Sequence, residues 1–215
     1  MPNQHPKQVK TLQELSAGIT PMIPGQPERI PWSWFDTQTY TSGTTTTLSF
    51  FQTVNADKTL SNMVAAGQIP SPMFYDLYHC SIAYLFPVSA LTLQATASGN
   101  GAMNDTRLLS NGGVTLNIAN KDYFQGPQLC LPAGGGPFGD VSAVGTFTAP
   151  LFSTVQNANN GNPDLRNRYN FWGDITIPHN QNFVWTLQWS APLTLQGGNT
   201  GIKVWMDGYL YRRVL

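Results

Sequence analysis

An all-β fold is what this sequence predicts: a jelly-roll-like antiparallel β-sandwich of about eight strands, preceded by an extended, proline-rich N-terminal arm. Three observations carry that expectation. Bulky residues recur at every second position through residues 171–178, 183–189 and 202–215, the period of a half-buried strand. Turn-forming Gly, Asn and Pro separate such runs at irregular intervals, which speaks against a repeat architecture. Strands and helical patterns never alternate, so Rossmann and TIM-barrel folds are not expected.

The arm is assigned to residues 1–36 and a single sandwich domain to residues 37–215. Pro2, Pro6, Pro21, Pro24, Pro27 and Pro31 deny the arm a continuous helix or sheet ladder. One helical turn is expected over 11–17, ended by Gly18. Trp32, Trp34 and Phe35 then need burial. They either lie over one end of their own sandwich or anchor the arm on a neighbouring subunit. They are candidate inter-subunit contacts, together with the basic pair Arg212 and Arg213. Strands are expected over 45–53, 73–93 (bent at Pro87), 114–118, 128–131 and 145–152. A short helix is expected over 60–67, and Gly- and Asn-rich loops over 98–106 and 156–164. The last third supplies strands at 171–178, 183–189, 193–195 and 202–215. Asp207-Gly208 between apolar runs predicts a type I′ hairpin, setting Met206 opposite Tyr209 and Val204 opposite Tyr211. The alternative is a glycine bulge inside one long strand.

Charged residues make up 10% of the chain, against about 25% in ordinary soluble domains. Thr, Asn, Gln, Ser and Gly stand in their place. A neutral polar surface lacks the repulsion that keeps monomers apart, which hints at packing against further copies. Eleven basic and eleven acidic residues give zero net charge, and no basic block marks a nucleic-acid contact. No signal peptide is read at the start, and no apolar run is long enough to span a bilayer. Synthesis in a cytoplasm is expected, with Cys80 and Cys130 as buried, reduced thiols.

Chemistry is sought and not found. His5, His79 and His179 are scattered, with no His-x-His, so a metal-dependent cupin is not expected. The Asn-rich stretch 157–164 lacks EF-hand spacing, because Arg168 stands where a bidentate Glu is required. No Glu follows Glu28, so a glycosidase pair would have to come from Asp140, Asp164, Asp174 or Asp207. No nucleophile elbow, P-loop or dinucleotide fingerprint occurs, although a dispersed Ser-His-Asp triad stays open. No enzyme activity, cofactor or metal is expected. Phe183, Trp185, Leu187 and Trp189 share one strand face and are assigned to the core. Aromatics on another face would make a sugar-stacking platform.

The run 175–187, Ile-Thr-Ile-Pro-His-Asn-Gln-Asn-Phe-Val-Trp-Thr-Leu, followed by 204–212, Val-Trp-Met-Asp-Gly-Tyr-Leu-Tyr-Arg, resembles the final strands of jelly-roll virion proteins of bacterial viruses. The likeness is one of style over residues 37–215. It implies a capsid or capsid-associated subunit, located in the virion, whose partners are copies of itself and other virion proteins. It brings no catalytic residues. The alternative expectation is a carbohydrate- or receptor-binding sandwich of a virion spike or tail.

Overall fold

The computed structural model describes residues 27–85, 101–131, 133, 138–144, 153–159 and 169–213. The strands are β1 (Pro27–Tyr40), β2 (Thr47–Phe50), β3 (Phe74–Leu85), β4 (Gly113–Ile118), β5 (Lys121–Pro127), β6 (Phe138–Val144), β7 (Ser153–Asn159), β8 (Tyr169–Ile177), β9 (Phe183–Gln188) and β10 (Thr200–Arg213). A helix, α1 (Gly101–Ser110), precedes β4. Sheet A has the order β1-β10-β3-β8 and sheet B the order β2-β9-β4-β5, while β6 and β7 pair with each other. With that hairpin set aside, β1 pairs with β10, β2 with β9, β3 with β8 and β4 with β5, all antiparallel. This is one long hairpin rolled into two layers. The β10–β3 and β9–β4 pairings complete each layer. The fold is therefore an eight-stranded jelly-roll sandwich, with a hairpin inserted between β5 and β8.

Alternation builds the layers. Phe183, Trp185 and Leu187 of β9, Val114, Leu116 and Ile118 of β4, and Ile202, Val204, Met206 and Leu210 of β10 all face the core. One open side of the sandwich is filled by rings: Phe124 of β5 meets Tyr169 and Phe171 of β8 at 5.0 and 5.6 Å. The other side is tied by a buried carboxylate. Asp36 of β1 accepts the Phe51 backbone N–H at 2.7 Å and the Gln38 amide at 3.0 Å. That bond holds Phe51 in the left-handed region (φ 68°), which a bulky residue rarely adopts.

The structure corrects several expectations. Residues 27–36 are not arm: they pair one by one with β10, because their alternation matches its own. Residues 1–26 and the turn expected over 11–17 lie outside the described residues. Asp207-Gly208 makes no hairpin, and β10 runs straight through it. A Cβ at Gly208 would stand 1.9 Å from the Asp76 carbonyl oxygen, so glycine serves a close approach of β3 rather than a turn. The register shift there is a bulge that inserts Tyr78 between the residues level with Asp207 and Gly208.

Residues 60–67 form turns and not a helix, because Asn62 is drawn to β1. Its side chain accepts from Phe35 N–H at 2.8 Å and donates to the Ser33 carbonyl at 2.7 Å. Most of the loop expected over 98–106 is helix α1. Asp105 anchors that helix by accepting the Gln196 and Gly197 N–H groups at 2.8 and 2.7 Å, and Trp189 Nε1 donates to the Leu109 carbonyl at 2.9 Å. Gln128–Cys130 is a 3-10 turn, with Cys130 exposed and Cys80 buried. Residues 193–195 are a loop held by the Tyr40 and Ser42 hydroxyls. β7 takes residues 156–159 of the expected Asn-rich loop. The strand expected over 145–152 and the bend at Pro87 lie outside the described residues.

Two outcomes are expected in urea unfolding. Gly208→Ala costs about 1–3 kcal/mol or more through the clash with Asp76. Gly113→Ala, whose Cβ would first meet Gln188 O at 3.9 Å, stays within about 1 kcal/mol of the parent. Separately, Asp36→Ala strands the Phe51 N–H and costs about 1–3 kcal/mol. A smaller loss is expected for Asp36→Asn, which keeps an acceptor.

Candidate interaction face

Strand alternation gives each sheet an outer face, and the two faces differ in chemistry. On β2, β4 and β9 of sheet B the outward positions are Thr47, Ser49, Thr115, Asn117, Thr186 and Gln188, with Val184 apolar, and the edge strand β5 adds exposed Lys121, Asp122, Tyr123 and Gln125. A shallow depression of about 360 Å³ lies beside them, lined by residues that include Asn111, Thr115, Gln125 and Gln188. None of its lining residues is charged.

Sheet A presents rings and charges. Phe35 comes from β1, Trp205, Tyr209 and Tyr211 from β10, and Phe74 and Tyr78 from β3, all half-buried. Tyr211 stacks on Phe74 at 4.4 Å and 6°, and Tyr78 meets Tyr209 edge-on at 5.4 Å. The Arg29 guanidinium lies 3.5 Å from the centre of the Tyr209 ring, and Lys203 Nζ sits 4.9 Å from that of Phe35. Lys203 also donates to the Thr59 carbonyl at 2.9 Å.

Among the described residues Asp76 and Asp207 add carboxylates to this face, and both are engaged. Ser33 Oγ donates to Asp207 Oδ1 at 2.6 Å, and Thr176 Oγ1 donates to Asp76 Oδ1 at 2.7 Å. Register places Ser33, Asp207 and His79 in one row across three strands. This is not triad geometry. A triad serine gives its proton to the imidazole, which the carboxylate orients, whereas Ser33 donates directly to the carboxylate. His79 Nδ1 is buried with no hydrogen-bond partner. Among the described residues no group of three or more His, Cys, Asp or Glu is placed to hold a metal ion, and no helix is long and apolar enough to cross a membrane.

The residues singled out in the sequence scatter over this part of the molecule. Trp34 points inward and is 2% exposed, within its own subunit's core. Trp32, 40% exposed, packs edge-on against it at 5.6 Å at the rim of the sandwich. Phe35 lies on the outer face of sheet A. Arg212 pairs with Glu28 across β1 and β10 at 2.8 Å, an exposed ion pair worth about 0–1 kcal/mol. Arg213 stands opposite Pro27 in the register. Sequence reasoning missed Arg29, Phe74, Asp76 and Tyr78 as members of one face. Only the cross-strand register brings them together.

Three buried or half-buried phenols resist ionisation. Burial pushes Tyr84 up to about 12, against the lowering pull of its bond with Ser110. Burial, with the Asp207 charge nearby, holds Tyr75 well above the ordinary phenol range. Tyr211 is raised by burial and by its hydrogen bond to Asp76, against the pull of Arg29.

No protein-family model matches this chain, and no curated protein or solved structure is significantly similar to it.

A phenol whose folded-state pKa is raised adds stability in full below the unfolded value near 10 and loses it as pH rises through the folded value. Urea stability is therefore expected to hold across neutral pH and to fall only above about pH 10, as the unfolded chain begins to lose phenol protons. Phenolate absorbance for Tyr84 and Tyr75 should rise only with that unfolding. A full complement of phenolate appearing near pH 10 in the folded protein would contradict the burial.

Proposed function

We propose that this protein is a structural subunit of a virion, a capsid or capsid-associated protein that self-assembles in a shell. The observation that carries the reading is the jelly-roll pairing pattern, in which β1 closes on β10 and β2 on β9, an architecture shared by viral shell proteins, lectins and cupins. A fold alone does not assign a function, so the side chains must separate these classes. Cupin metal chemistry finds no ligand cluster among the described residues. A charge-poor surface of hydroxyls and amides suits a protein that spends its life packed against others, since few charges need to be desolvated.

The rival reading is a glycan- or receptor-binding module of a spike or tail. It draws on Trp205, Tyr209 and Tyr211, which stand beside Asp76 and Asp207 on one outer face. Rings that stack on sugars next to carboxylates that bind hydroxyls are its requirement.

Light scattering over a concentration and salt series, with electron microscopy of large species, separates the two. Closed shells or discrete trimers, pentamers or hexamers are expected. A monomer at all concentrations that binds glycans would replace the shell reading with its rival. Deleting residues 1–26 leaves every sandwich strand in place. The shortened chain is expected to keep its melting temperature and to assemble less well, and undiminished assembly would remove the arm from the scheme.

A further inference from the structure

We propose that the outer face of sheet A is the surface on which two copies of this chain meet, packed face to face about a two-fold axis that runs along the strands. This rests on the self-assembly reading and names the surface that assembly would use.

Strand addition at the β1 edge is a poor alternative. The backbone groups of Ser33 and Phe35 point to that edge, where Asn62 occupies the Ser33 carbonyl and both Phe35 groups. Residues of the same parity, Pro27 and Pro31, have no N–H to offer there. Prolines and a side-chain cap on an edge strand block pairing with another chain. The outer face of sheet B is less suited, because the hydroxyls and amides of β2, β4 and β9 gain little from leaving water and its exposed ring, Tyr123, stands on the edge strand β5.

Sheet A offers what protein interfaces use. Tyr, Trp and Arg are the residue types that dominate interface hot spots, and here the Tyr and Trp rings sit half-covered while Arg29 is exposed over Tyr209. From the level of Lys203 to that of Tyr211 the face measures about 30 Å by about 20 Å, from strand rise and spacing. That is about 600 Å² per copy and about 1,200 Å² for a pair, within the range of specific interfaces.

The charges are self-complementary. Among the described residues Arg29 and Lys203 balance Asp76 and Asp207, which limits repulsion between two copies. A two-fold along the strands reverses the strand order, so β10 of each copy lies over β3 of the other at the same level. The β10–β3 register sets Asp207 level with His79, Tyr209 with Asp76 and Tyr211 with Phe74. Each carboxylate thus faces an imidazole or a phenol, and ring faces ring. Every contact occurs twice, as an isologous interface requires.

Hydroxyl-radical footprinting of the full chain, sized in parallel by light scattering, tests this. As dimers or larger species form with concentration, labelling of Trp205, Tyr209 and Tyr211 should fall about threefold or more, while Tyr123 on β5, 49% exposed, keeps its labelling. Trp205→Ser, with its fold checked by circular dichroism, should weaken association about tenfold. Tyr123→Ser should not. Should Trp205→Ser fail to fold, the parent footprint decides alone. Large species with unchanged labelling on sheet A would overturn the face and leave the assembly reading standing. A monomer at every concentration would overturn both. Rings protected equally at all dilutions would mean that the chain covers its own face. Protection that appears only on adding oligosaccharides would mean a glycan site. Either result overturns the proposal.

Discussion

Residues 27–40 and 200–213 meet in an unbroken antiparallel ladder within sheet A, and the contacts between the layers are arranged around it. This pairing joins the two ends of the sandwich, and its Ser33–Asp207 hydrogen bond spans 174 positions. Closing so long a loop costs chain entropy before any reward arrives, so the ladder has to be long and in a single register. A slip of β1 by one residue against β10 would turn Trp34 outward and Phe35 inward, trading core for surface along the whole strand. Once closed, the ladder presents β10 to β3 and positions Asp36 to fasten Phe51 across the open side of the sandwich.

The same ladder divides the surface into two chemistries. Inward positions of both sheets share one hydrophobic core, so the difference between layers lies wholly in what faces out. Strands β2, β4 and β9 of sheet B turn mainly Thr, Ser, Asn and Gln to solvent, and the charges and exposed ring of that sheet are confined to its edge strand β5. Sheet A turns out Tyr, Trp, Phe and Arg, whose apolar area is too large to be left wet without consequence. Within one molecule the first face serves as the reference for the second. Both faces are built on antiparallel strands with a bulge in each sheet, so the aromatic content of sheet A is not a by-product of β propensity alone.

Much of this was legible before any coordinates. Strict alternation in 183–189 gave away both the strand and its buried face, because each side chain there meets only one environment. Helix α1 was not legible. Gly101, Asn104 and Asp105 read as loop residues, and what makes them helical is non-local: a turn at Gln196 and Gly197 whose N–H groups Asp105 accepts, and Trp189 closing on the Leu109 carbonyl. Gly112 follows for a reason equally invisible in sequence, since a Cβ there would fall 2.1 Å from Gln128 Nε2. The arm ends earlier than its prolines suggest, because Pro27 and Pro31 read as breakers in sequence and yet lie on a strand. On an edge strand their missing N–H groups fall on the unpaired side and cost no ladder bond.

The bulge at Tyr78 links these threads. Before it, Tyr75 and Leu77 point into the core. After it, Cys80, Ile82 and Tyr84 do, so inward parity switches from odd to even. A switch of parity inside one strand defeats any reading by period, and the expected hairpin at Asp207-Gly208 arose from the same place. Gly208 has no side chain because the bulged β3 brings the Asp76 carbonyl against it. The extra residue also has a consequence for the surface. Tyr78 and His79 are chain neighbours that would lie on opposite sides of a regular strand, and here both are half-exposed. Tyr78 reaches the Tyr209 ring that Arg29 covers from β1. One inserted residue thus both bends the central strand of sheet A and thickens the aromatic face at its middle. A regular β3 would have supplied the same core with a thinner face.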